Sequence, residues 1–146
     1  MTLASCDSRK TAGENPFFTE WDTPHGVPPF DKILPEHFMP AFERGMSLHE
    51  AEIDATSNKD DATFENTILA YDNAGQMLAQ TELVFGMLCA AETNDRMQAL
   101  QEQAMPLLAA HRDKIRLDDK LFVRVKEVYD RRAALGLDAE QMRLLQ

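Results

Sequence analysis

Apolar residues recur every three or four positions along most of this sequence, and no stretch alternates apolar and polar residues as a half-buried strand does. Four helices are predicted. The first starts near Pro35, the second runs from a Thr63 cap to about Glu92, the third starts at Thr93 or Asn94, and the fourth at Asp118 or Asp119. Each helix has a predicted inward face. For the first helix it is Phe38, Ala41, Phe42, Gly45, Met46, His49 and Ile53, and for the second it is Phe64, Ile68, Tyr71, Gly75, Leu78 and Phe85. For the third helix it is Met97, Leu100, Ala104, Leu107, Leu108, His111 and Ile115, and for the fourth it is Leu121, Phe122, Val125, Val128 and Tyr129.

These helices predict an all-α fold, an antiparallel bundle of four to five helices joined by short links. The second half of the second helix is apolar on nearly every side, so we expect it in the middle of the bundle. Pro40 predicts a second start or a kink in the first helix, and Pro106 a bend in the third. The segment 15–34 holds four of the seven prolines and predicts an extended stretch. Its expected anchors are Phe17, Phe18, Trp21 and Phe30.

Residues 1–14 are predicted to be a flexible tether, and 15–146 a helical domain. The tetrapeptide L-A-S-C at 3–6 resembles the lipobox of bacterial lipoproteins, in which a cysteine, here Cys6, receives the lipid. No apolar signal core precedes it, so a chance match is the alternative. If L-A-S-C is a functional lipobox, the protein is expected to be periplasmic or membrane-anchored. If it is a chance match, the protein is expected to be cytoplasmic. At the other end, Asp138 and Gln141 form a capping box that begins a further helix, which is typical of a piece of a longer protein.

Charge and composition exclude several partner classes. The net charge of −10 and the lack of clustered Lys and Arg argue against nucleic-acid binding. No apolar run reaches the roughly 18 residues of a membrane helix. Of the two cysteines, Cys89 sits in the apolar run 83–91, where burial predicts an inert thiol.

The stretch LHEAEI at 48–53 begins like the zinc-peptidase motif H-E-x-x-H, with His49 and Glu50, but Ile53 stands where the second histidine belongs. A catalytic zinc needs three protein ligands, and Ile53 cannot be one. The other histidines are far away in the sequence, although folding could gather them. We therefore assign no catalytic and no metal-binding residue to this chain, and expect no cofactor in it.

Several segments, in order, carry a more specific resemblance. NPF at 15–17, FDKILPEHFMPAFERGM at 30–46 and TFENTILAYDNAG at 63–75 resemble the amino-terminal region of bacterial peptidyl-dipeptidases, or dipeptidyl carboxypeptidases. The resemblance extends through LFVRVKEVYDRRAALGLDAEQMRLL at 121–145 and covers nearly everything from Asn15 onward. These enzymes belong to the thimet oligopeptidase family of zinc metallopeptidases. The pair Tyr71-Asp72 departs from the family pattern, and this departure affects packing or surface charge rather than catalysis.

The resemblance implies a non-catalytic helical domain that forms one wall and part of the lid of a channel for short peptides. The zinc, its H-E-x-x-H motif and the release of C-terminal dipeptides would belong to a catalytic remainder of the same chain. The alternative is a stand-alone helical lipoprotein that binds a protein partner. Either way, we expect apolar residues of the second helix to be exposed in the isolated chain, which favours a homodimer or marginal stability.

Overall fold

The structure is a computed structural model that describes residues 14–91 and 94–146. Those residues are mostly helical and contain no strand, which confirms the predicted all-α class. Four long helices build the bundle, and two short ones accompany them. The helices are α1 (Phe38–Ser57), α2 (Ala70–Asp72), α3 (Gln76–Ala91), α4 (Asp95–Arg116), α5 (Asp119–Arg131) and α6 (Ala139–Leu144).

The start of α1 follows from two prolines. Pro35 opens a single 3₁₀ turn, Pro35–His37, and α1 begins directly after it at Phe38. Pro40 therefore falls in the first turn of α1, where a backbone N–H would have no helical partner and its absence does no harm. The predicted second start is confirmed.

The core forms around α1, with α3 antiparallel and α4 parallel to it. Phe38 and Phe42 of α1 both pack against the ring of Phe85 in α3, with ring centroids 5.0 and 5.4 Å apart. Towards the other end of the same pair, Gly45 lies so close to Leu78 that an added Cβ would sit 3.0 Å from the Leu78 Cα. The contacts with α4 run in register along the chain, from the Glu36–Arg96 ion pair at the turn before α1 to the Glu50–Lys114 pair of α1.

The second predicted helix is not continuous, which corrects the prediction. Thr63 caps it as expected by accepting a hydrogen bond from the Asn66 N–H. A π-helical segment, Phe64–Leu69, then leads into α2, and the chain turns at Gly75 before α3 begins. Gly75 has φ +74°, a left-handed conformation that ends helices and that glycine adopts without strain.

The place of α3 in the bundle also corrects a prediction. The central helix is α1, whose residues Phe38, Ala41, Phe42 and Ile53 are fully enclosed. α3 lies at the edge, with Leu78, Val84 and Phe85 buried and Leu83 60% exposed. An all-round apolar helix was interpreted as buried on every side, but only one of its faces is covered by the described residues.

Two predicted inward residues of α5 point outward: Phe122 is 65% exposed and Tyr129 40% exposed. The buried face instead repeats Leu121, Arg124 and Val128, at helical spacing. The Arg124 guanidinium is enclosed because it donates hydrogen bonds to the loop that follows α1 and to the π-helical segment Phe64–Leu69. Its acceptors are the carbonyl oxygens of Lys59 and Asp61 and the side-chain oxygens of Asn66 and Thr67.

The segment before α1 is anchored by aromatic residues, as predicted in part. Phe17 is buried, and Phe18 and Trp21 pack against the core, with the Trp21 indole donating a 2.8 Å hydrogen bond to the Pro16 carbonyl. Phe30, the fourth expected anchor, is largely exposed. No helix within the described ranges is both long enough and apolar enough to cross a bilayer.

Candidate functional site

A polar junction lies where α1, α4 and the start of α3 meet, and the fold makes it by pairing two distant histidines. His49 of α1 and His111 of α4 are 62 residues apart in sequence, yet His49 Nδ1 and His111 Nε2 are 3.1 Å apart. The rings meet nearly edge to face, with centroids 5.1 Å apart. His111 is buried and His49 is half-buried.

Charged side chains surround this histidine pair. Lys114 Nζ lies 2.8 Å from Glu50 Oε2, and this hydrogen bond is the main reason that the pKa of Glu50 is below its usual value. The other carboxylate oxygen of Glu50 is 3.5 Å from His111 Nδ1. Burial, and next the neighbouring His111, lower the pKa of His49. The junction therefore favours an ionised Glu50 beside a neutral His49.

Gly75 closes the junction from the α3 side. Its N–H donates a 2.7 Å hydrogen bond to Glu52 Oε2, which places a carboxylate at the amino-terminal end of α3. A Cβ at this position would lie 2.9 Å from His49 Nδ1, so any other residue would collide with the imidazole. Gly75 is thus required twice, for its backbone conformation and for the space that His49 occupies.

A shallow groove of about 400 Å³ runs along the junction between α1 and α4. Its lining combines apolar side chains, two carboxylates, an amine and an imidazole. The lining residues are Glu43, Met46, Ser47, Glu50, Leu107, Ala110, His111 and Lys114. Such a mixture offers both ionic and apolar contacts to a ligand.

A second feature is the outward face of α3, which we call the α3 face. Its residues share exposure, a small or apolar side chain and helical spacing: Ala79, Leu83, Gly86, Met87 and Ala90. The one charged residue of α3, Glu82, pairs instead with Arg112 of α4 at 2.9 Å. A Cβ on Gly86 would meet nothing within 4 Å, so the packing of the described residues does not explain this glycine.

The residues singled out in the sequence are placed as follows. Ile53 is buried, so this side of LHEAEI packs as predicted, whereas His49 takes part in the junction with His111. Burial raises the pKa of the Cys89 thiol, in line with the expected low reactivity. Cys6 lies outside the described residues. Within the described ranges, no group of three or more His, Cys, Asp or Glu side chains is placed to hold a metal ion.

The sequence did not predict that His49, His111 and their charged neighbours come together. Periodicity put His49 and His111 on the inward faces of their helices, which was a usable signal, but it could not reveal that the two faces meet at this level. Glu52 and Lys114 look like ordinary surface charges in the sequence. Their contacts depend on the register between α1, α3 and α4.

Comparison with known proteins relates the chain to much longer peptidases. Dipeptidyl carboxypeptidase of Escherichia coli K12 is 42% identical over 133 residues, which cover 90% of the chain and 20% of that protein. Dipeptidyl carboxypeptidase of Salmonella typhimurium LT2 is 39% identical over 132 residues, or 90% of the chain and 19% of that protein. Oligopeptidase A of Escherichia coli K12 is 25% identical over 115 residues, which cover 74% of the chain and 16% of that protein. No family model matches the chain.

The chain is therefore homologous to part of a peptidase. More specifically, it corresponds to a region of the dipeptidyl carboxypeptidases, and the resemblance to this branch of the thimet oligopeptidase family is confirmed. The chain spans about a fifth of the length of the relatives it matches.

Proposed function

We propose that this chain is a non-catalytic helical domain of a zinc peptidyl-dipeptidase, an enzyme that releases C-terminal dipeptides from short peptides. The observation that carries the proposal is the 42% identity to a dipeptidyl carboxypeptidase over nine-tenths of the chain. An identity of this level over most of the chain supports a shared fold and, in our proposal, a shared role. The domain would form one wall of the substrate channel and part of its lid.

The α3 face is the surface through which the domain would dock on the rest of the polypeptide. Leu83 is 60% exposed and Met87 48% exposed, on a helix whose single charge points elsewhere. Uncharged apolar patches of this kind are typical of protein interfaces. The open space above Gly86 would allow another backbone to approach closely.

The α1–α4 groove is then the surface that faces the channel. Its carboxylates, amine and apolar side chains offer both ionic and apolar contacts to a short peptide. The two surfaces lie on different helices, so docking through α3 leaves the groove accessible.

Zinc belongs, in this proposal, to the catalytic remainder. The described residues do not fit a zinc site, because they contain no group of three suitable ligands. In the parent enzyme, the metal would polarise the scissile carbonyl and activate a water molecule. The contribution of this domain is to admit short peptides and to exclude folded proteins.

The test uses the longer protein that contains this chain, assayed for dipeptide release from a blocked tripeptide. We expect Leu83→Glu with Met87→Glu on the α3 face to reduce activity at least tenfold, because a buried unpaired charge would weaken docking. Phe122→Glu, which places the same charge on exposed α5, is the matched control and should retain activity. Peptide hydrolysis by the 146-residue chain alone, or full activity of the Leu83/Met87 variant, would refute the proposal.

The L-A-S-C stretch supports a separate proposal, that Cys6 carries a lipid and tethers the protein to a membrane in the periplasm. Mass spectrometry of the native protein tests it, since a diacylglyceryl-cysteine at position 6 adds a characteristic mass. An unmodified Cys6 with an intact preceding sequence would contradict it and favour a cytoplasmic protein.

A further inference from the structure

The hydrogen between His49 and His111 can be placed by considering what faces each nitrogen. His49 Nδ1 and His111 Nε2 are 3.1 Å apart, so one of them carries a hydrogen and the other a lone pair. Two arrangements satisfy this requirement, with the hydrogen on either nitrogen. The partner of the remaining nitrogen of His111 decides between them.

That remaining nitrogen, His111 Nδ1, faces a carboxylate. It is buried, lies 3.5 Å from Glu50 Oε1 and has no closer polar partner among the described residues. Lys114 keeps Glu50 ionised. A lone pair on His111 Nδ1 would be repelled by this carboxylate, whereas an N–H would be attracted to it. His111 therefore carries its hydrogen on Nδ1, and its Nε2 accepts a hydrogen bond from His49 Nδ1–H.

We propose that His49 and His111 form a proton-operated clasp that fastens α4 to α1 while both rings are neutral and loosens in acid, as protons bind to the pair. In the closed clasp, both imidazoles carry their single hydrogen on Nδ1, which is the opposite of the tautomer that free histidine favours in water. The hydrogen bond requires a lone pair on His111 Nε2, because a hydrogen there would point directly at the His49 Nδ1–H.

The surrounding charges limit how far the clasp can take up protons. Glu50 and Glu52 of α1 and Glu82 of α3 favour a cation on His49. Two of these carboxylates are already paired, Glu50 with Lys114 and Glu82 with Arg112. Glu52 is hydrogen-bonded to the Gly75 N–H. Burial and the neighbouring His111 outweigh the attraction of these carboxylates, so the folded pair favours a neutral His49.

Opening the clasp would be transmitted to α3 through Gly75. The His49 ring packs directly on Gly75, and the Gly75 N–H binds Glu52 one turn further along α1. If the His49 ring moves away from His111, it must displace Gly75 or its hydrogen bond to Glu52. We therefore expect acid to loosen the start of α3, which carries the α3 face, as well as the α1–α4 contact.

The direction of the pH effect follows from the lowered pKa of His49, which burial and then the neighbouring His111 hold below its ordinary value of 6.5. The unfolded chain binds protons at this position as the pH falls through 6.5, and the folded chain does not. The stability that the clasp contributes is thus fully present above pH 6.5 and is lost as the pH falls below that value.

The first experiment locates the hydrogens in the 146-residue chain by ¹⁵N NMR of the imidazoles at pH 7.5. The proposal expects the Nδ1–H tautomer for both His49 and His111, and a scalar coupling between His49 Nδ1 and His111 Nε2 across the hydrogen bond. A His111 with its hydrogen on Nε2, or rings with no coupling, would overturn it. This measurement needs no variant and so does not depend on a substitution that folds.

The second experiment follows denaturant unfolding and amide exchange between pH 7.5 and 5.5. For each unit by which the pH falls, the unfolding equilibrium constant should rise more in the wild-type chain than in His49→Gln. The extra rise is up to tenfold, since the wild-type chain binds one extra proton on unfolding. The protection factor of the Gly75 N–H, which compares its exchange rate with that of an unfolded chain at the same pH, should fall over the same range. His25→Asn, at an exposed histidine, is the matched control and should behave like wild type. Parallel pH profiles for wild type and His49→Gln, with an unchanged protection factor at Gly75, would overturn the proposal.

Discussion

Replacement of Arg124 by methionine is the sharpest stability test that the fold offers. Arg124 is 7% exposed, and its guanidinium ties α5 to the loop after α1 and to the π-helical segment Phe64–Leu69. It donates to Asn66 Oδ1 at 3.0 Å, to the Asp61 carbonyl at 3.1 Å and to Thr67 Oγ1 at 3.2 Å, and also to the Lys59 carbonyl. Methionine keeps the length of the side-chain stem and removes every donor.

The magnitude follows from which acceptors can find water after the change. Lys59 and Asp61 are exposed residues, so their carbonyls can be rehydrated, whereas Thr67 is fully buried and Asn66 is half-buried. Each hydrogen bond to a charged donor is worth about 1.5–3 kcal/mol. Relief of the buried positive charge offsets part of the loss, because an enclosed guanidinium is itself unfavourable. We expect Arg124→Met to lower the free energy of unfolding by about 3 kcal/mol.

Urea unfolding followed by circular dichroism measures this loss, and the midpoint should fall without a change in slope. Arg124→Lys tests the geometry, since an ammonium keeps the charge but cannot reach all four acceptors at once. It should lose about half as much or more. Lys126→Met is the matched control on the exposed side of α5, where removing the ion pair with Asp130 should change stability by about 1 kcal/mol or less. A loss below about 1 kcal/mol for Arg124→Met would refute the stabilising role assigned to the Arg124 hydrogen bonds.

Further outcomes are expected at single positions. Gly45→Ala should destabilise the chain by about 1–3 kcal/mol in the same urea assay, because its Cβ would lie 3.0 Å from the Leu78 backbone. Gly86→Ala, in open space on α3, should instead stabilise it by up to about 1 kcal/mol, and equal effects at the two glycines would contradict the packing described here. With Cys6 changed to serine, alkylation of Cys89 at pH 8 should be slower than that of a free thiol, because burial raises its pKa. A chelator-treated chain titrated with zinc should not bind the metal stoichiometrically, and stoichiometric binding by calorimetry would contradict the assignment of zinc to the remainder.

Helix starts were predictable because each depends on a few neighbouring residues. Thr63, Asn94, Asp118 and Asp138 cap helices through side-chain oxygens that accept backbone N–H groups two or three residues ahead. Such contacts are local, so sequence spacing is sufficient to find them. The break at Gly75 was missed for a related reason, because the residues on either side continue a helical pattern, and the close contact between Gly75 and His49 appears only in the folded structure.

The sequence predicted the burial of many residues, but not of all the residues on a predicted inward face. Val128 and Leu121 were correctly placed inside, while Phe122 and Tyr129 were not, because apolar character alone does not choose between adjacent faces. Arg124 took the inward position because the loop after α1 and the π-helical segment that follows it offer four acceptors. An arginine in a helix is normally predicted to be exposed, and its partners lie more than fifty residues away.

The sequence by itself determined the helical class, the caps, the relation to peptidases and the lack of a complete zinc motif in this stretch. These features depend on residue type and on spacings of a few positions, which a linear chain already contains. The tertiary structure alone decided that α1 is central, that α3 leaves one face open and that His49 meets His111. Those outcomes depend on the register between helices, which is set by close approaches such as Gly45 on Leu78 and by burial summed over the whole core.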